Sequence, residues 1–159
     1  IAGIKFERNT DINPLEKLST FYKKIDINSL KELGFRIDKE TMEWWNKQPN
    51  NIKEEAIGES DDRINIRDAL LEFNNWFKGS TCIWGNGDDF DCTILGETYK
   101  KCNIEIPWKF WHTRDCRTLF DIGQVTCRDL PQDNKHHALY DCYRQIIGVK
   151  LALEKLSLI

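Results

Sequence analysis

An amphipathic run near the middle of the chain most constrains how the chain can fold. Apolar and aromatic side chains recur at helical spacing between Ile66 and Phe77, after Asn65 as candidate N-cap and before Gly79 as stop. Such a stripe lies on one face of a helix and must be covered by other elements. We therefore expect these aromatic side chains in a hydrophobic core rather than in a cofactor site.

Strand-like and helix-like runs alternate around this helix. Strands are predicted over residues 1–6, 19–25, 81–84 and 108–111, and helices over about residues 41–48, 50–56, 90–99, 117–125 and 138–156. Residues 26–37 look irregular, and Phe90, Ile94 and Leu95 are expected to face inward. This order, a hairpin followed by alternating strands and helices, predicts one α/β domain over residues 1–159. Its mixed sheet is covered by flanking helices.

Composition narrows the classes of function. The 159 residues carry a net charge of −3, which argues against binding nucleic acid through a broad basic surface. An acidic site that reaches phosphates through bound cations remains compatible with this charge. The six cysteines are too far apart for a zinc knuckle and are typical of reduced thiols in a cytoplasmic protein. No apolar run approaches membrane-span length, so no membrane partner is expected.

Two histidines and a carboxylate open the last helical run. Asp141 follows His136 by five residues, and residues five apart on a helix lie on nearly opposite sides of it. The two side chains can meet only if His136 lies on the turn before the helix. A histidine on a loop beside a carboxylate on a helix suits the activation of a water next to a metal. The alternative is that the histidines cap the helix and Asp141 is solvated.

A glycine turn carries the second group of carboxylates. Residues 84–91 pass from a strand through Gly85 and Gly87 into a helix, and Asp91 falls on its first turn. Ligands of α/β proteins gather at such strand ends, where carboxylates from separate helices can share a divalent cation. The alternative is that the acidic residues simply favour the helix N-terminus.

Together the two stretches resemble a known superfamily. The pattern N-G-x-x-F-D ending at Asp91, followed by H-x-A-x-x-D from His136 to Asp141, is similar to motifs two and three of the DEDDh 3′-5′ exonucleases. Residues 41–48 and 110–118 resemble a bacterial and phage branch, the exoribonuclease AS-like group, which includes phage 3′-5′ exodeoxyribonucleases. The resemblance covers nearly the whole chain and implies an RNase H-like fold.

The resemblance also implies a two-metal mechanism. Asp91 and Asp141 would be ligands of two Mg²⁺ or Mn²⁺ ions, and His136 would be the general base, with His137 as the alternative. The substrate would be the 3′ end of single-stranded DNA or RNA, from which nucleoside 5′-monophosphates are released. Asn86 would touch the terminal nucleotide, with turn formation as the structural alternative. Arg114 would hold phosphate or position the strand, with pairing to Asp115 as the structural alternative. Relatives suggest a possible homodimer, and a phage-encoded member would act in the host cytoplasm.

This chain differs from the superfamily at the first motif, which is an Asp-x-Glu on the initial strand. Asp38 and Glu40 have this spacing, but a tryptophan-rich helix follows them instead of a second strand. We expect residues 1–6 to be the strand after the motif, so that the fold's first strand and its Asp-x-Glu lie upstream of Ile1. Trp44 and Trp45 are candidates for stacking on bases, with core packing as the alternative. The competing function is a catalytically silent nucleic-acid-binding or interaction module on the same fold.

Overall fold

Seven helices and four short strands make up the described part of the chain. The computed structural model describes residues 1–9, 17–132 and 136–159, apart from the side chain of Asp88. The elements in chain order are β1 (Ala2–Ile4), β2 (Thr20–Tyr22), α1 (Ile27–Glu32), α2 (Lys39–Trp45), α3 (Asn50–Ile57), α4 (Ile66–Phe77), β3 (Ile83–Gly85), α5 (Asp88–Cys102), β4 (Thr113–Asp115), α6 (Cys116–Ile122) and α7 (Ala138–Lys155). Within these ranges, none of the helices combines the length and apolar character that crossing a bilayer requires.

The strands form two small sheets. β1 and β2 are antiparallel, with Gly3 opposite Phe21, and β3 and β4 are parallel, with Gly85 opposite Asp115. The α/β class is therefore confirmed, but the described strands pair in twos instead of joining into one mixed sheet. Residues of β1 and of β3 line the same cavity, about 1090 Å³ in volume, which we call the large cavity.

The main core is built around α4, as the amphipathic pattern predicts. Leu70 is fully buried, and Phe73 and Phe77 pack with it. The ring of Trp108 lies edge-on to those of Phe73 and Tyr99, with centroid distances of 6.4 and 5.6 Å. Asn65 caps the helix by accepting a hydrogen bond from the backbone N–H of Arg67. The aromatic stripe of this helix is thus core.

A second core holds α7 against α6. Val149 and Leu153 pack with Cys116, which is fully buried. At Gly123, just after α6, an added Cβ would lie 2.6 Å from the Cβ of Ala152 on α7. The two chain segments approach this closely only because residue 123 has no side chain. This packing fixes the direction in which α7 presents its first turn to the large cavity.

The prediction of irregular structure over residues 26–37 is wrong, because a short helix begins there. The side chain of Asp26 accepts a hydrogen bond from the backbone N–H of Asn28, and the Ser29 hydroxyl donates to the Asp26 carbonyl at 2.6 Å. Leu30 and Leu33 then pack against the main core. A local cap and a tertiary contact together stabilise a helix too short for periodicity to reveal.

Two further predictions about burial and strand position are wrong. Phe90 and Ile94 are 65% and 46% exposed, because α5 begins at Asp88 and turns Cys92, Leu95 and Tyr99 inward instead. The strand expected at residues 108–111 begins at Thr113, since Trp108 is drawn into the core and residues 110–112 form a 3-10 turn.

Candidate active site

Asp91 and Asp141 lie on one cavity. They come from the first turns of α5 and α7, and both line the large cavity. The thiol of Cys142 lies close enough to both carboxylates to be affected by their charges. Its pKa is raised to about 12, first by burial and then by the charges of Asp91 and Asp141. The structure thus brings together the two carboxylates that the sequence predicts as metal ligands, from helices about fifty residues apart.

The glycine turn before α5 positions Asp91. The backbone N–H of Asn86 donates to Asp91 Oδ2 at 2.8 Å, and that of Gly87 donates to Asp115 Oδ1 at 3.0 Å. Gly85 is buried directly against the carboxylate, and an added Cβ there would lie 3.1 Å from the Cβ of Asp91. A turn built from two glycines therefore lets the strand end and the carboxylate approach each other.

We expect Gly87→Ala to destabilise this turn. Gly87 has φ +105°, in the left-handed region, where an L-residue costs about 1–2 kcal/mol. Urea denaturation should show a free energy of unfolding lower by that amount, with loss of any activity that needs Asp91. Gly34→Ala is the matched control, because Gly34 has φ +79° and lies outside the large cavity. It should cost similar stability but leave activity intact; equal activity of both variants would contradict the role of the turn.

Asp141 lies where two cavities meet. It lines the large cavity and also a second cavity of about 490 Å³, which His136 and His137 line as well. Its Oδ1 is 3.3 Å from Nη1 of Arg144, and about a third of its side chain is exposed. The carboxylate pair and the histidines thus lie on cavities that share Asp141.

The two histidines have different surroundings. His136 is exposed on the turn before α7, as predicted, with φ +68° and its ring edge-on to Trp44 at 4.9 Å. His137 stacks on Tyr22 at 5.3 Å, with its Nε2 4.0 Å from Oε1 of Glu55. His137 occupies the N-cap position of α7, and its carbonyl accepts the backbone N–H of Asp141.

A polar network in the second cavity was not predicted from the sequence. Glu55 Oε1 accepts a hydrogen bond from the Tyr22 hydroxyl at 2.8 Å, and Glu55 Oε2 is 2.9 Å from Lys24 Nζ. These bonds lower the pKa of Glu55, whereas burial and the carboxylate raise the pKa of Tyr22 to about 12. Glu55 looks like part of a solvated face in the sequence. Its partners lie more than thirty residues away, so no local pattern signals the contact.

The weaker candidates have different surroundings. Arg114 donates from Nη1 to the carbonyls of Trp111 and Thr113, at 2.8 and 2.7 Å. Asp38 caps α2 by accepting the backbone N–H of Thr41 at 2.7 Å. Neither Asp38 nor Glu40 lines the large or the second cavity. Trp44 and Trp45 lie outside the hydrophobic cores and line the second cavity.

The carboxylates fit part of a divalent-cation site. Oxygen ligands from carboxylates are what Mg²⁺ and Mn²⁺ prefer, and Asp91 and Asp141 both offer them to the large cavity. Among the residues that the structure describes, there is no cluster of three or more side chains able to hold a metal ion. The two carboxylates would therefore hold cations together with further ligands.

One comparison with known proteins gives a match. A family model described as the 3′-5′ exoribonuclease Rv2179c-like domain matches residues 1–152. The matched range includes all four strands and the three residues Asp91, His136 and Asp141. Searches of curated proteins and of solved structures found no match.

Proposed function

We propose that this chain, which belongs to the family of Rv2179c-like 3′-5′ exoribonuclease domains, is a metal-dependent exonuclease of the DEDDh type with an RNase H-like fold. Its substrate is the 3′ end of single-stranded RNA or DNA, and its product is a nucleoside 5′-monophosphate. The branch is the one that includes phage enzymes. The observation that carries the proposal is the placement of Asp91 and Asp141 on one cavity, with His136 on the cavity that shares Asp141.

Asp91, Asp141 and His136 have different roles in the proposed hydrolysis of the phosphodiester. Asp91 and Asp141 would hold two Mg²⁺ or Mn²⁺ ions together with further ligands, and the ions would supply charge stabilisation for the attacking and leaving oxygens. His136 accepts a proton from the attacking water, and the water oxygen forms a bond to the phosphorus of the last phosphodiester. The bond from phosphorus to the 3′ oxygen breaks, and that oxygen is protonated. The exposed turn before α7 gives the His136 ring access to the substrate.

The large cavity has room for the segment that would carry the remaining metal ligands of the site, the Asp-x-Glu carboxylates. Among the described residues, β1 pairs only with β2 and β3 only with β4, so each has an edge without a strand partner. An extended segment in the cavity that both strands line would pair with them and join the two sheets into one. An Asp-x-Glu on that segment would lie near Asp91 and Asp141.

The experiment that tests the function follows a 5′-labelled single strand. With Mn²⁺, the protein should shorten labelled RNA or DNA one nucleotide at a time from the 3′ end, and EDTA should stop the reaction. His136→Ala should lower the rate by about 10²–10⁴-fold, the usual contribution of a general base. His137→Ala tests the alternative base and should have the smaller effect. Thin-layer chromatography of the products should show nucleoside 5′-monophosphates.

The competing function predicts a different result. A silent binding module would retain the labelled strand in a gel-shift assay without shortening it in any metal. Internal cuts, or shortening that persists at the full rate in His136→Ala, would contradict the proposed mechanism.

A further inference from the structure

Two large aromatic side chains are exposed side by side on the turn before β4. Phe110 and Trp111 are 82% and 57% exposed, and their rings lie edge-on to each other with centroids 4.7 Å apart. Neither residue lines the large or the second cavity. Trp108, two residues earlier, is buried in the main core. We call residues 109–112 the aromatic turn. Its two rings form an apolar patch, and such patches mark interaction sites.

Hydrogen bonds hold the backbone of the aromatic turn in place. A backbone hydrogen bond of 2.8 Å closes the 3-10 turn at His112. The Thr113 hydroxyl donates to the carbonyl of Phe110 at 2.9 Å, and Arg114 Nη1 donates to the carbonyl of Trp111 at 2.8 Å. The two rings therefore project from a fixed backbone, and a ligand that binds them does not have to order a loop first.

Positive charge surrounds the aromatic turn, although the chain as a whole is acidic. Residues 108–118 contain three cations and one carboxylate, a net charge of +2, whereas the whole chain has a net charge of −3. The cations are Lys109, Arg114 and Arg117, and all three are exposed. The carboxylate is that of Asp115, which caps α6. The patch therefore combines exposed aromatic rings with charges that attract an anionic ligand.

Arg117 connects the aromatic turn to the candidate active site. An added Cβ at Gly87 would lie 3.4 Å from Cζ of Arg117, so the guanidinium lies against the glycine turn that positions Asp91. Trp111 precedes Asp115, which accepts the Gly87 N–H, by four residues, and four residues span at most about 14 Å. A stacked strand advances about 3.4 Å per nucleotide, so about four nucleotides cover this distance.

We propose that the aromatic turn binds the body of the single-stranded substrate, at about the fourth nucleotide from the 3′ end. This proposal rests on the proposed function, because that function places the 3′ end at the two active-site carboxylates. Bases stack on the exposed rings of Phe110 and Trp111. Lys109 and Arg117, on either side of the rings in sequence, attract the phosphates. Each nucleotide offers both an aromatic face and a negative charge, and this surface complements both.

A second copy of the chain fits this surface less well. A two-fold interface brings a patch against the same patch of the other copy. The cations of the two copies would then face each other, and like charges across an interface oppose association. A nucleic acid strand meets the same cations with the opposite charge.

Binding of strands of two lengths tests the proposal without turnover. An adenylate dinucleotide and an adenylate octanucleotide, both of RNA with a 5′ fluorescent label, are titrated with the protein in EDTA and followed by fluorescence anisotropy. The octanucleotide reaches the aromatic turn and should bind at least tenfold more tightly than the dinucleotide, which is too short to reach it. Equal affinity for the two strands would overturn the proposal.

Variants of the aromatic turn assign the extra affinity to its rings. Trp111→Ala and Phe110→Ala should each weaken octanucleotide binding about tenfold, the usual effect of removing a stacking ring, and should leave dinucleotide binding unchanged. Trp111→Phe keeps an aromatic face and should retain most of the affinity, whereas Trp111→Leu should not. Leu158→Ala removes another exposed apolar side chain, outside both cavities, and should bind both strands as the wild type does.

The remaining outcomes separate this proposal from its alternatives. Full octanucleotide affinity in Trp111→Ala would overturn the proposal. So would a dimer, detected by analytical ultracentrifugation, that Trp111→Ala converts to monomers, because a second copy would then cover the patch. Ring-dependent binding of the octanucleotide without any 3′ shortening would refute only the proposed function. Stepwise shortening with ring-independent binding would refute only the role of the aromatic turn.

Discussion

Asp141→Asn is expected to lower the rate of 3′ shortening by about a thousandfold or more while leaving the fold intact. Asparagine has the shape of aspartate but not its charge, and removing one carboxylate from a divalent-cation site costs several kcal/mol of transition-state stabilisation, roughly 4 kcal/mol for a factor of a thousand. Among the described residues, the ion pair lost is the one with Arg144 at 3.3 Å, and partly exposed pairs contribute about 1 kcal/mol or less. Single-turnover rates on 5′-labelled RNA, with a thermal melt of the same sample, measure both effects.

The same Asp→Asn change at three other positions shows whether the loss of activity is specific to the proposed metal ligands. Asp91→Asn should be equally inactive, although its amide oxygen can still accept the Asn86 N–H that shapes the turn. Asp121→Asn changes an exposed carboxylate on α6 outside both cavities and should keep the full rate. Asp38→Asn should keep it too, because Asp38 caps α2. Activity surviving in Asp91→Asn and Asp141→Asn, or lost in Asp38→Asn, would place the metal ligands elsewhere.

Local signals in the sequence locate most of the elements. The cap Asn65 starts α4 where the sequence predicts it. The turn of Gly85 and Gly87 delivers Asp91 to the first turn of α5, and His136 lies before α7 as the spacing to Asp141 requires. These features depend on residues within one or two turns of each other, so they can be predicted from the spacing of residues in the sequence.

Contacts between distant segments could not be predicted in this way. Tyr22 and Glu55 meet because β2 and α3 pack together, and each side chain alone looks like an ordinary surface residue. Phe90 is exposed because tertiary packing selects another face of α5, although the apolar pattern favours burying it. The separation of the strands into two pairs, with a cavity lined by both, is likewise decided by partners far apart in sequence.

Leu70→Ala should cause the largest loss of stability among the single substitutions considered. Leu70 is fully buried in the main core, where its carbonyl also accepts the Tyr99 hydroxyl at 3.3 Å. Truncating a buried leucine removes its burial energy and leaves a cavity, at a cost of about 2–5 kcal/mol. Against a total of about 5–15 kcal/mol for a typical domain, this is a large fraction. Urea denaturation should give a lower midpoint with an unchanged m-value.

The next residue supplies the control for this prediction. Leu71 is on the same helix but 51% exposed, so Leu71→Ala makes the same chemical change with the same helix propensity. It should cost at most about 1 kcal/mol, because little apolar surface leaves a buried environment. Equal losses in the two variants would mean that α4 turns a different face inward. The part of the large cavity that Phe73 and Phe77 of this helix line would then also be misplaced, and Asp91 and Asp141 line the same cavity.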